Sequence, residues 1–354
     1  MFLNRLWVFI CSHLKLKNRV LFYTVRSDNG LTDNAKILYD SLDCEKIIYA
    51  HKPPHFKPDK VEAYYKILTS KVIVTDDYCR YMRALKLRPG QKLLQIWHGC
   101  GFFKCFALDA VKDSERNYEL AAHSQYSAVA VTSEKSADVF AKAFGIDRSK
   151  CIVTGIPRND ELINNSENLK DVFFNENPGF KNKRIYLYCP TFREQGGERV
   201  KFDPCIDWEK LSASLEDDEI FIISRHPLAD YKLTDRDFGN IKDLTDVPTL
   251  NLVSASSVFI TDYSSSVHDA VLLNKPVVFY CPDYKSYERN LYIAIPDDLP
   301  GEFAVSDCEL LEKIRRAPSM TESDKYQTFK KEQLGACDGH SLERLKGLIE
   351  EWMK

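Results

Sequence analysis

Short apolar runs alternate with amphipathic segments along most of the chain, and this limits the fold more than any other feature. The runs at 20–25, 46–50, 72–75, 93–97, 128–132 and 151–154 are short and apolar or β-branched, which suits strands. Between them, 34–42, 61–68, 116–122 and 133–144 read as helices, the last with Ser133 where an N-cap belongs. A polar stretch at 164–183, with Pro178-Gly179 inside it, interrupts the pattern and marks a domain boundary. Strands then resume at 185–189, 220–224, 258–260 and 277–280, with helices at 208–215, 310–316 and 341–353. Strands that alternate with helices imply parallel sheets with crossover helices. The chain has 354 residues, more than one hydrophobic core usually serves. The expectation is α/β, with two doubly wound halves facing a cleft: residues 1–165, residues 166–335, and a closing helix at 336–354.

Composition narrows the class. Hydrophobic residues make up 44% and charged residues 29%, as in ordinary globular proteins. A net charge of −3 gives no global case for nucleic acid as a partner. Eleven cysteines, an odd number without a CxxC pair, suit reduced thiols in a cytoplasmic protein. No run reaches the length of a membrane-spanning helix. At the N-terminus, Phe2, Leu3, Leu6, Trp7, Phe9, Ile10 and Leu14 precede Lys15, Lys17 and Arg19. That pattern fits a helix lying in a membrane interface, and equally one packed on its own domain.

The polar residues that follow predicted strands are where ligands bind in such sheets. Four clusters qualify: Trp97-His98-Gly99, Pro190 to Arg193, Arg225-His226-Pro227, and Thr261 to Ser266. The last three belong to the second half and leave the same sheet edge if its strands are parallel. Arg193, Arg225, His226, Thr261, Asp262, Ser264, Ser265 and Ser266 would then surround one crevice. Arginine forks match phosphate oxygens, and a serine-rich helix start adds donors and partial positive charge. This set suits a pyrophosphate. Each residue also has a plainer account: a surface ion pair, a turn, or a helix cap. Coincidence at strand ends is what favours the ligand.

Other chemistries have less support. No HExxH, GxSxG or GxxxxGK[ST] motif is present. His51 and His55 have HxxxH spacing, but Pro53-Pro54 rules out the helix that would align them. Asp76-Asp77 reads as a solvated turn. No metal ligand set and no cofactor are expected.

Several ordered motifs resemble the CDP-glycerol glycerophosphotransferases of teichoic acid and capsule synthesis. They are QIWHGCGFFK at 95–104, VTGIPRND at 153–160, YLYCPTFRE at 186–194, RHP at 225–227, ITDYSSSVHDAVLLNKPVVFY at 260–280 and CDGHSLERL at 337–345. One departure is His268, where the family usually carries Phe. The resemblance implies a GT-B-like pair of Rossmann-like domains, the first on the acceptor side and the second binding the CDP donor. It implies transfer of polyol phosphate from a CDP-polyol to a hydroxyl of a lipid-linked or glycan acceptor, with release of CMP. It also implies work at the inner face of the cell membrane, and functional roles for His98 and His226.

Bottom-up chemistry agrees with that assignment. In-line attack on phosphorus by a hydroxyl benefits from a base of near-neutral pKa, which histidine supplies. His98 takes that role. Arg193, Arg225, His226 and the serines meet phosphate charge, and Asp262 orients their loop. A GT-B glycosyltransferase using a nucleotide sugar would share fold and phosphate site. An inactive nucleotide-binding or scaffolding relative belongs to a third class, which a turnover assay separates.

Overall fold

The structure, a computed structural model, describes residues 2–51, 60–195, 198–226, 229, 232–234 and 236–354. Pro53, Pro54, His55 and Pro227, all weighed above, lie outside the described residues. The chain divides into two compact units. Unit 1 comprises Met1–Cys100, Phe106–Asp160 and Gly335–Lys354, and unit 2 comprises Gly101–Cys105 and Glu161–Leu334.

Unit 1 runs through α1 (Phe2–His13), β1 (Lys17–Thr24), α2 (Asp33–Ser41), β2 (Lys46–Ala50), α3 (Lys60–Thr69), β3 (Ser70–Thr75), β4 (Lys92–Gln95), α4 (Arg116–His123), β5 (Ala128–Val131), α5 (Glu134–Phe144) and β6 (Cys151–Val153). Its six strands are parallel in the order β2-β1-β3-β4-β5-β6. Side chains alternate across a strand, so both faces must be covered. Leu21 and Tyr23 of β1 join a core with Ile73, Leu93 and Phe144. Val20 and Phe22 join the opposite core with Leu38 of α2 and with Leu345 and Ile349 near the C-terminus.

The chain continues through α6 (Pro157–Glu176), β7 (Arg184–Cys189), β8 (Arg193–Gln195), β9 (Glu198–Val200), α7 (Trp208–Ser214), β10 (Glu219–Ile223), β11 (Ile241–Asp243), α8 (Thr249–Ala255), β12 (Val258–Thr261), α9 (Val267–Leu272), β13 (Val277–Tyr280), β14 (Glu302–Ala304), α10 (Asp307–Arg316), α11 (Asp324–Leu334) and α12 (Ser341–Met353). The second sheet is parallel in the order β11-β10-β7-β12-β13-β14. From β7 the chain winds one way to β11, then returns and winds the other way from β12. The carboxyl ends of β7 and β12 therefore form the topological switch point, where doubly wound sheets bind ligands. In unit 1 the same reversal lies between β1 and β3.

The expected doubly wound α/β class is what the structure shows, with local differences. The polar stretch at 164–183 is helical as far as Glu176, because Leu162 and Phe173 lie three turns apart and are fully buried. Strand β4 stops at Gln95, because Trp97 turns into left-handed backbone with φ +49°. Ser133 caps α5 as read, accepting from Ser136 N.

Candidate functional site

Unit 2 builds its switch point on an ion-pair frame. The Asp262 carboxylate, fully buried just after β12, accepts from Thr191 N at 2.9 Å and from Tyr263 N at 2.6 Å. It also pairs with Arg193 Nη1 at 2.8 Å, which ties the β12 loop to the β7 loop. The other edge of the guanidinium reaches Asp283, with Nε donating at 2.6 Å and Nη2 at 3.2 Å. Nη1 further donates to Thr191 O at 2.7 Å, and the group lies 3.9 Å from the Phe202 ring centroid. Arg193 is 7% exposed. Its fork, read above as a phosphate ligand, is thus occupied by carboxylates and holds the loops in place.

Other expected residues sort by exposure. Thr261 is fully buried and its hydroxyl donates to Cys189 O at 2.8 Å, stitching β12 to β7. Arg225 donates through Nε to Asp243 at 2.8 Å and through Nη1 to Ala229 O at 2.9 Å. His226 is half-buried, with its ring 4.8 Å from that of Phe192. Burial, then the nearby charges of Lys104 and Arg199, lower its pKa and favour the neutral ring. Ser266 stands at the N-cap of the six-residue α9 but makes no side-chain cap bond. Its hydroxyl instead donates to Ser264 Oγ at 2.8 Å. Ser265 is exposed at the apex of the turn.

In unit 1, His98 lies just past the end of β4, beside the loop that follows β3. Its Nδ1 is 3.1 Å from Asp76 O and 3.6 Å from the Asp77 carboxylate. A carbonyl accepts only, so Nδ1 carries the proton and Nε2 is left as the basic nitrogen. The ring stacks on Trp97 at 4.4 Å. Burial lowers the His98 pKa; Asp77 opposes this and Arg26 adds to it. Contrary to the expectation above, the Asp76-Asp77 turn is not solvated throughout. Asp76 is 1% exposed, and burial raises its carboxyl to about 6.

Sequence reasoning missed Asp283 and Lys104. Asp283 follows β13 and meets Arg193 across 90 residues of sequence, a pairing no local pattern announces. Lys104 closes the motif at 95–104, so a signal existed. Among the described residues no group of three or more His, Cys, Asp or Glu is placed to hold a metal. Among them, too, no helix is long and apolar enough to cross a membrane.

The family model for CDP-glycerol:poly(glycerophosphate) glycerophosphotransferase matches residues 6–351. The teichoic acid poly(ribitol-phosphate) polymerase of Bacillus spizizenii is 30% identical over 270 residues, 71% of this chain. The chain spans only 42% of that relative's length. The teichoic acid glycerol-phosphate primase of Bacillus subtilis is 28% identical over 82% of this chain and 76% of the relative. The wall teichoic acid polymerase TagF shares the fold, with a TM-score of 0.80 at 20% identity, over 99% of this chain and 93% of that one. A UDP-GlcNAc 2-epimerase from Neisseria meningitidis matches more loosely, with a TM-score of 0.59 at 13% identity over 94% of this chain and 99% of that one. The match over nearly the full length settles the resemblance read from the ordered motifs: the chain belongs to the CDP-glycerol:poly(glycerophosphate) glycerophosphotransferase family of transferases.

Proposed function

We propose that the chain transfers a polyol phosphate, glycerol phosphate first, from a CDP-activated donor to a hydroxyl of a lipid-linked or glycan acceptor. The observation that carries this reading is His98, held by Asp76 O in the tautomer that leaves Nε2 basic. The relatives include glycerol-phosphate and ribitol-phosphate primases and polymerases, which supports a polyol phosphate as the group moved. In the proposed step, the acceptor hydroxyl gives its proton to His98 Nε2 and its oxygen bonds to the outer phosphorus. The bond from that phosphorus to the bridging oxygen breaks, and CMP leaves with the electron pair. Residues 1–165 would serve the acceptor and 166–335 the donor. Incubation with CDP-glycerol, CDP-ribitol and a set of nucleotide sugars tests the assignment. CMP release with a phosphodiester product is expected; a glycosidic product would make the chain a glycosyltransferase instead.

The serine turn gives a sharper test. Ser265 is exposed and is not at the cap position. A hydrogen bond to a charged phosphate is worth about 1.5–3 kcal/mol, or about one to two decades of affinity. Ser265→Ala is therefore expected to weaken CDP-glycerol binding at least about tenfold with little change in melting temperature. A lowered melt with affinity intact would make the turn structural.

Membrane contact is the remaining part of the reading. Helix α1 exposes Leu6, Trp7, Phe9 and Ile10, and Leu14 follows it, a face suited to the lipid interface. We expect anionic liposomes to sediment the protein and added salt to weaken this, as for a peripheral enzyme at the inner membrane face. Equal recovery of a variant lacking residues 1–14 would count against it.

A further inference from the structure

Unit 2 contains five residues that the sequence places in the midst of unit 1. Gly101–Cys105 cluster with unit 2, while the chain through Cys100 and again from Phe106 belongs to unit 1. This arm is fixed along its length. Phe102 N donates to Gln333 Oε1 at 2.7 Å. Gly101 has φ +59°, and a Cβ there would sit 2.5 Å from His268 Nε2. Phe103 is 2% exposed and stacks on Phe279 of β13 at 6.2 Å. Tyr292 N donates to Phe103 O and Cys105 N donates to Asn290 O, both at 2.9 Å. Lys104 and Leu291 form the antiparallel bridge between these two bonds. Phe103 faces the apolar interior, so its neighbour Lys104 projects from the opposite face of the arm.

What Lys104 projects toward is charged. It interacts with Asp262, Arg289, Arg193 and Glu194, and its charge is felt by His226. Asp262 is already paired with Arg193. Among the described residues no carboxylate lies within ion-pair distance of Lys104, of Arg199 on β9, or of Arg289 beside Asn290. Glu194 acts on the Lys104 charge without forming an ion pair with it. The result is a half-buried ammonium and two exposed guanidiniums, none at ion-pair distance from a carboxylate among the described residues, beside a frame of one guanidinium and two carboxylates.

We propose that Lys104 is the principal cation for the donor's diphosphate, flanked by Arg199 and Arg289, and that Arg193 positions the site rather than binding the ligand. This rests on the CDP-donor reading above. Two facts support it beyond the geometry. Burial pulls the Lys104 pKa down to about 8, with Asp262 opposing, so a bound phosphate would relieve an unpaired charge. The bridge with Leu291 also fixes the backbone, so little ordering is left to be done on binding.

The test is calorimetric titration of full-length wild type, Lys104→Met and Lys104→Arg with CDP and with UDP, alongside thermal melts. Lys104→Met keeps the stem and removes the charge. It is expected to bind CDP at least about tenfold more weakly with an unchanged melt, and Lys104→Arg to stay within about threefold. Wild-type affinity in Lys104→Met, or equal losses in Met and Arg, would overturn the assignment while leaving the donor reading in place. If wild type binds UDP and not CDP, the cytidine reading fails and the Lys104 comparison is read on UDP. If it binds neither, both inferences fall.

Discussion

His98→Ala is expected to lower turnover by roughly 10²–10⁴-fold while leaving donor affinity nearly unchanged, the scale for loss of a general base. The reason is geometric. Asp76 O fixes the Nδ1 proton, Trp97 supports the ring face, and Nε2 is the nitrogen left to take a proton. The pH profile carries a second signature. A base works only when unprotonated, and burial lowers the His98 pKa, so the acid limb of kcat/KM should fall below the range of an ordinary histidine. Asp77 opposes that lowering, so Asp77→Asn should move the limb lower still. Steady-state rates across pH, with CMP release as the readout, check both. Near-normal turnover in a folded His98→Ala protein, or a limb that Asp77→Asn moves upward, would remove His98 from the mechanism.

Breaking the Arg193 frame should instead act on stability. Arg193→Ala leaves the Asp262 carboxylate, fully buried, without its counterion. Losing one partner of a buried pair costs about 3–5 kcal/mol, since the remaining charge is stranded in a poor solvent. For a unit of this size the melting transition should fall on the order of 10 °C. Arg193→Met combined with Asp262→Asn removes both charges and should cost clearly less than the two single changes added together. Thermal melts of the three variants decide the matter. A wild-type melt in Arg193→Ala, accompanied by lost donor affinity, would return Arg193 to the ligand shell and displace Lys104 from its leading role.

The contrast between Arg193 and Lys104 shows how far the linear chain could be read. The fold was legible because its signals are local. The continuous apolar runs of β1 and β13 and the helical spacing of α12 each lie within a few neighbouring residues. The candidate positions were legible for the same reason, since His98, Arg193, His226 and the Ser264–Ser266 turn all follow strand ends. Which arginine is free for a ligand is a different question. Arg193 looked like a phosphate fork until Asp262 and Asp283 closed on it from later strands. Asp76 looked solvated until β1 and β4 packed beside its strand.

Sequence by itself therefore determined the α/β class, most of its strands and helices in order, the family, and the strand ends where the candidate residues lie. Tertiary structure decided which charges are spent on one another and which remain. It also decided that Gly101–Cys105 belongs with unit 2. The physical reason is range. Strand and helix patterns are set by backbone geometry over a few residues. Burial and ion pairing depend on groups that only the folded sheet brings together, as Arg193 and Asp283 meet across 90 residues.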